Sequence, residues 1–261
     1  MPFVTANGVS LHFERWGEGR TALLLSELGG STRSWLQAGP LIGRHMRALA
    51  LDIRGTGLSE KPVAAPTMEQ IATDCIAAMD VLGIDSFDLV GCAMGSIVAL
   101  EIARLAPDRI GRIVLCSVSP DIPEKTRRYA GQRADEIRRH GMRAASGSST
   151  VNSFPDGIAQ PLDETRIAYE ANFLANDPKA YADLTEALLD WQGSESLGSI
   201  KCPCLCLAGD LDFMWTEDDV RATAARLPQA DTGLVPQAGH FPHQSNPEVF
   251  AQAVVAFLSE D

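Results

Sequence analysis

Nowhere in these 261 residues does an apolar run approach the roughly 18–20 residues of a membrane-spanning helix, so no membrane partner is expected. Positive charge is scarce too. Lys and Arg number 22 against 34 Asp and Glu, a formal net charge of −12. That argues against nucleic acid as a partner, since neutralising phosphates takes a basic surface. The opening "MPFVTANGVSLHFERWG" has no basic start followed by an apolar core, so no signal peptide is read there and a cytoplasmic protein is expected. No Gly-rich phosphate loop is present, because "GEG" (17–19) lies between early strands and opens no helix. His12, His45 and His140 do not cluster with cysteines or carboxylates at ligand spacing, so neither a metal nor a cofactor is expected. Internal repeats are missing, and the only low-complexity tract is the short "SGSST" (146–150).

There are six cysteines, but their placement argues against disulfides. Cys202, Cys204 and Cys206 alternate in "IKCPCLCLAGD", which puts them on one face of a strand where they cannot easily bridge each other. Free core thiols in a reducing compartment fit better than a zinc site.

What is present is an alternation. Val9, Leu11 and Phe13 follow an Asn7-Gly8 turn, the signature of a tight hairpin. "TALLL" (21–25) reads as a buried strand, "STRSWLQAGPLI" as the start of a helix, and "MRALALDI" (46–53) as the next strand. The following helix opens on a capping box of Thr67 with Gln70 and stops at Gly83. "FDLVG", a helix over about 96–106, and "RIVLCS" continue the pattern. Strand-helix-strand repetition implies a mainly parallel sheet covered on both faces. Residues 121–197 break it, with helical segments and no convincing strand, and read as an inserted helical cap. The alternation resumes with "CLCLAGD", "TEDDVRATAARL" and "DTGLVP", and ends on a helix with Asn246 as N-cap and Pro247 at its first position. The expected organisation is a core of residues 1–120 and 198–261 with a cap of 121–197.

Three segments carry candidate chemistry. "GCAMG" (91–95) stands at a strand-to-helix turn, where glycines permit a tight backbone and the helix start offers free N–H groups. Asp212 in "GDLD" follows a late strand, and His240 in "AGH" follows the last one. Open α/β sheets gather ligands at the carboxyl ends of their strands, so position 93, Asp212 and His240 meet at one edge. There a His acts as general base and an Asp fixes its tautomer.

With "DIRGTGLS" (52–59) and "SELGGS" (26–31) added, the chain resembles the α/β-hydrolase superfamily over nearly its whole length. The resemblance implies a mostly parallel eight-stranded sheet with a cap, and an oxyanion hole built from the backbone N–H groups of Leu28 and Met94. The style of these motifs is similar to enol-lactonases of aromatic breakdown and to aminoacrylate hydrolases of pyrimidine breakdown.

Two departures stand out. Ser26 and Glu27 replace the family's usual His-Gly, which sets a carboxylate beside the oxyanion hole. Glu27 is read either as a general acid or amine-binding group, or as the partner of a nearby Arg. Ala93 occupies the nucleophile's seat, and losing a nucleophile typically costs on the order of 10⁶ in turnover. Three explanations compete: an alanine engineered to trap substrate, a natural alanine with His240 activating water, or a silent binding protein. The aminoacrylate hydrolases, whose elbow also carries alanine, imply the second, which suits a labile imine, enamine or carbamate. Intact Asp212 and His240 weigh against the third. Cys92 lies before the apex and is not expected to serve as nucleophile.

In 121–143, seven Lys and Arg stand against four Asp and Glu, inside an acidic protein. Most read as an exposed helix laced with ion pairs, and Arg133 is the candidate to turn inward and grip a carboxylate. Trp35, Trp191 and Trp215 fall near the expected mouth as candidate substrate contacts, with packing the plainer role of each. His243 reads as a surface or supporting residue. The expected protein is a hydrolase, monomeric or homodimeric, for a small, polar, carboxylate-bearing ester, lactone, amide or imine. A ligand-binding protein, a lyase or a cofactor-free oxygenase on the same fold are the alternatives.

Overall fold

A computed structural model describes residues 2–119 and 121–260, so Pro120 at the expected core–cap boundary lies outside them. Eight strands form one sheet: β1 Phe3–Ala6, β2 Val9–Trp16, β3 Thr21–Leu25, β4 Arg47–Leu51, β5 Phe87–Cys92, β6 Ile110–Cys116, β7 Cys204–Gly209 and β8 Ala230–Val235. Their spatial order is β1-β2-β4-β3-β5-β6-β7-β8. β1 and β2 pair antiparallel with each other, and β2 with β4; every later pairing is parallel. The opening hairpin turns on Asn7 and Gly8, both at positive φ (50° and 76°), as a two-residue turn of matching twist requires.

Ten α-helices are described: α1 Ala38–Ile42, α2 Met68–Val81, α3 Met94–Leu105, α4 Glu124–His140, α5 Arg143–Ser153, α6 Leu162–Leu174, α7 Pro178–Leu189, α8 Glu217–Ala224, α9 Pro242–Ser245 and α10 Pro247–Leu258. Alternate strand residues face opposite cores. Leu23, Leu49, Leu89, Leu115 and Cys206 join one, with α2 and α3. Leu24, Ala50, Val90, Cys116 and Leu207 join the other, with α1 and α10. The sheet is thus covered on both faces, as its continuous apolar runs demand. Between β6 and β7 the described residues hold α4 to α7 and a short 3-10 helix, Gly193–Ser199.

The caps are where the residue types place them. Thr67 and Gln70 exchange side chain-to-backbone bonds at the start of α2, and Asn246 caps α10 ahead of Pro247. All six cysteines are free. β7 begins at Cys204, so Cys202 lies just before the strand rather than in it.

The expected helix from Ser31 is broken. A 3-10 turn, Thr32–Trp35, precedes the five-residue α1. Gly39 and Gly43 lie close against Trp16: a Cβ on Gly39 would stand 2.4 Å from its ring, and one on Gly43 2.6 Å from its Cβ. Pro40 also removes an amide donor. No described helix is long and apolar enough to cross a membrane.

Candidate active site

Ala93 lies at the turn from β5 into α3, with φ 49° and ψ −114°. A non-glycine residue is strained there, by about 1–3 kcal/mol. Two glycines permit the turn. A Cβ on Gly91 would stand 2.5 Å from the Gly95 backbone, and one on Gly95 would stand 2.1 Å from the Leu25 carbonyl oxygen. Neighbouring bonds hold it. The Ala93 amide donates to the Cys116 carbonyl at 2.9 Å, and Ser96 Oγ donates to the Gly91 carbonyl at 2.9 Å. The elbow is therefore fixed from β6 as well as from its own strand.

Asp212 follows β7, and His240 follows β8. Their side chains meet, with His240 Nδ1 and Asp212 Oδ2 2.8 Å apart. Asp212 Oδ1 accepts the amides of Met214 (2.9 Å) and Trp215 (3.1 Å). Burial pushes the Asp212 carboxyl up, but His240 and those two amides outweigh it, and the group stands below its ordinary pKa. An ionised Asp212 holds the proton on Nδ1 and leaves Nε2 as a base.

The carboxyl ends of the central strands and α4 to α7 enclose a cavity of about 550 Å³. Ala93, Leu28, Met94 and His240 all line it. Neither the Leu28 nor the Met94 amide donates to another described residue. Met94 also opens α3, where amides have no intrahelical acceptor, so both are available to a developing oxyanion.

Arg133 reaches in from α4. Its Nη2 donates to Ser149 Oγ at 2.8 Å, and its guanidinium lies over the rings of Phe173 and Tyr181 (5.5 and 5.7 Å). Its Nε is buried without a partner, and no described carboxylate lies within ion-pair distance. Its neighbours behave otherwise: Arg128 pairs with Glu124, Arg138 with Asp183 and Glu186, and Arg139 with Asp135. So one cation of that basic stretch faces the cavity, and these others form the exposed lattice expected from the sequence.

Glu27 also lines the cavity and is 1% exposed. Among the described residues no Arg pairs with it. Ser34 Oγ donates to it at 2.8 Å, Gln244 Nε2 at 3.0 Å, and His243 Nε2 stands 3.3 Å away. Burial pushes its carboxyl up, yet His243 and Ser34 bring it below its ordinary value. His243 is therefore no surface residue; it is fully buried, with the Trp35 ring 4.4 Å from its own.

Of the three candidate tryptophans, only Trp215 lines the cavity. Trp35 is fully buried behind it, donating from Nε1 to Ser26 Oγ at 2.9 Å. Trp191 lies elsewhere, bonded to Glu101 at 3.2 Å along a separate acidic groove. Both are packing residues, because their hydrogen-bonding edges are already committed. Cys92 is buried in the core, its Sγ 4.0 Å from the His240 carbonyl oxygen, and burial pushes its thiol well up. Sequence reasoning missed Ser117 and the aromatic wall of Tyr169, Tyr181 and Phe241. Only Ser117 had a signal, its place at the carboxyl end of a strand.

A family model described as "Alpha/beta hydrolase family" matches residues 22–253. The chain belongs to the alpha/beta hydrolase family. Within that family it is 28% identical to a "putative carbamate hydrolase RutD" of Caulobacter sp. (strain K31), covering 92% of this chain and 91% of that one. The enol-lactonase of Burkholderia xenovorans LB400 superposes with a TM-score of 0.92 at 26% identity, covering 99% and 100% of the two chains. A thermophilic esterase of Thermogutta terrifontis, solved with malate bound, gives 0.91 at 25% identity, covering 98% and 97%. The chain is thus an α/β-hydrolase enzyme, and these relatives are named as a putative carbamate hydrolase, an enol-lactonase and an esterase.

Proposed function

We propose that the protein hydrolyses a small carboxylate-bearing substrate with an enol ester, lactone or carbamate bond, using water activated by His240. The observation that carries this is the pairing of an intact His240–Asp212 couple with a methyl group at position 93. Residues 121–197 act as the cap over a core of 1–120 and 198–261. Arg133 receives the substrate carboxylate, and Trp215 walls the mouth. The malate bound to the Thermogutta esterase gives the acidic ligand a precedent in a similar fold.

In the step itself, His240 Nε2 takes a proton from water as the oxygen adds to the scissile carbonyl carbon. The carbonyl oxygen becomes an oxyanion and accepts the Leu28 and Met94 amides. The intermediate collapses, and the leaving group departs with the proton held by His240. Asp212 stabilises the imidazolium in between.

A second reading, a serine hydrolase lacking its serine, draws on the elbow's strained φ, which a nucleophile needs and a methyl does not. Comparison of the protein with its Ala93→Ser variant separates the two. The panel contains 4-nitrophenyl acetate, a carbamate, a lactone and an amide, each with and without a carboxylate. The expected result is turnover by the alanine protein and no labelling by a serine-directed phosphonate. If only Ala93→Ser turns over and is labelled, the water mechanism fails.

A further inference from the structure

The carboxyl edge of the sheet carries a second strained residue. Ser117 follows β6 as Ala93 follows β5, and the residues before them, Cys116 and Cys92, are register partners. Ser117 has φ 48° and Ala93 φ 49°, two of the four non-glycine residues at positive φ among those described. The other two lie in turns beside strands: Asn7 in the opening hairpin and Gln237 after β8. Adjacent strands lie about 4.8 Å apart, so the two strained positions are immediate neighbours.

Ser117 is 0% exposed, its Oγ has no hydrogen-bond partner, and it lines the same cavity as Ala93 and His240. A buried hydroxyl left unpaired costs about 1–3 kcal/mol. An unpaired hydroxyl on a strained residue of the cavity wall calls for a partner there. Its amide is already used, donating to the Leu207 carbonyl at 2.9 Å, so the backbone is anchored while the side-chain hydroxyl is unspent.

We propose that Ser117 Oγ and His240 Nε2 together hold the attacking water, in the space that the methyl of Ala93 leaves open. The inference rests on the water mechanism above and names the group that aims the water. The water donates one proton to His240 Nε2 and the other to Ser117 Oγ. Its lone pair then points to the substrate carbon. The hydroxyl forms no bond to substrate and is unchanged after the step. Only the proton on Nε2 is transferred, and the leaving group takes it.

The test compares the full-length protein with Ser117→Ala and Ser117→Gly, by crystal structures near atomic resolution and by kinetics on the panel above. Ala accepts the same backbone at the same strain, and Gly relieves it, so at least one variant folds. The expected structure has an ordered water within hydrogen-bond distance of Ser117 Oγ and His240 Nε2, and no water there in either variant. The expected kinetics are a tenfold to hundredfold loss of kcat, with KM unchanged and Tm held or raised in Ser117→Gly. Water kept at the same place in both variants, or an unchanged kcat, overturns the proposal. So does phosphonate attached to Ser117, which would make the hydroxyl a nucleophile. Should no substrate turn over in any form, the water mechanism fails, while the water's presence or loss in the crystals still decides the role of Ser117.

Discussion

The methyl at position 93 keeps a backbone that costs free energy, and in return it packs only partly buried against the core. Glycine would adopt φ 49° without the roughly 1–3 kcal/mol of strain, at a cost of about 0.4–1 kcal/mol in unfolded-chain entropy. Ala93→Gly is therefore expected to stabilise the protein by about 1 kcal/mol, read as a higher urea midpoint. A lower midpoint would mean that the methyl packs more than its strain costs. Arg133 gives a second residue-scale expectation. Its unpartnered Nε and lack of a carboxylate partner leave its charge for a ligand. Arg133→Ala should raise KM at least tenfold for carboxylate-bearing members of the panel and leave their neutral counterparts unchanged. Equal loss on both would assign Arg133 to packing against Phe173 and Tyr181. Neither the strain at Ser117 nor Glu27's partner was legible in the sequence. "RIVLCSVS" contains nothing that signals a positive φ, and His243 is 216 positions from Glu27 with no local pattern joining them.

At the scale of elements the sequence was readable wherever one period ruled. The central strands β3, β5 and β7 are short apolar runs because both sheet faces are buried there, and α2 and α10 announce their starts through Thr67 and Asn246. Reading failed where tertiary contact overrode local preference. The stretch after Ser31 has a helical pattern, but Pro40 has no amide to donate and Gly39 and Gly43 lie close against Trp16, and the helix is short. The tryptophans failed for the same reason: order along the chain put Trp35 and Trp191 near the mouth, and packing put them elsewhere. The β5–α3 junction is legible in full, since both glycines of "GCAMG" are demanded by the space around them. Gly95→Ala would drive a Cβ to 2.1 Å from the Leu25 carbonyl oxygen, which is main chain and cannot swing aside. The expected cost is about 3 kcal/mol or more, above the usual range for overpacking. It should come with loss of activity, since Leu25 leads into the loop that carries Leu28. Denaturant melts and turnover, measured together, check both halves.

Across the whole molecule, contacts between distant parts of the chain tie the site together. Glu27 on the loop after β3 binds Gln244, 217 positions away, and faces His243 beside it. Asp212 and His240 join the loops after β7 and β8. Both carboxyls have folded pKa values below their ordinary ones, so each binds protons more readily in the unfolded chain. Their stabilisation is therefore fully present above the unfolded values, about 4. It drains away as pH falls through the lower folded values. Stability measured in urea should drop steeply as pH falls below about 4, and Asp212→Asn should flatten part of that drop. Glu27 has the sharper test, because a buried group stripped of its partner costs about 3–5 kcal/mol. Glu27→Ala and His243→Ala should each destabilise strongly, while the double variant loses clearly less than their sum. Additive losses would mean that Ser34 and Gln244, rather than His243, hold the carboxylate. Either result bears on catalysis, since an ionised Glu27 beside Leu28 opposes a developing oxyanion. If the pair is coupled, His243→Ala should depress kcat more on 4-nitrophenyl acetate, whose reaction builds a full oxyanion, than it weakens substrate binding.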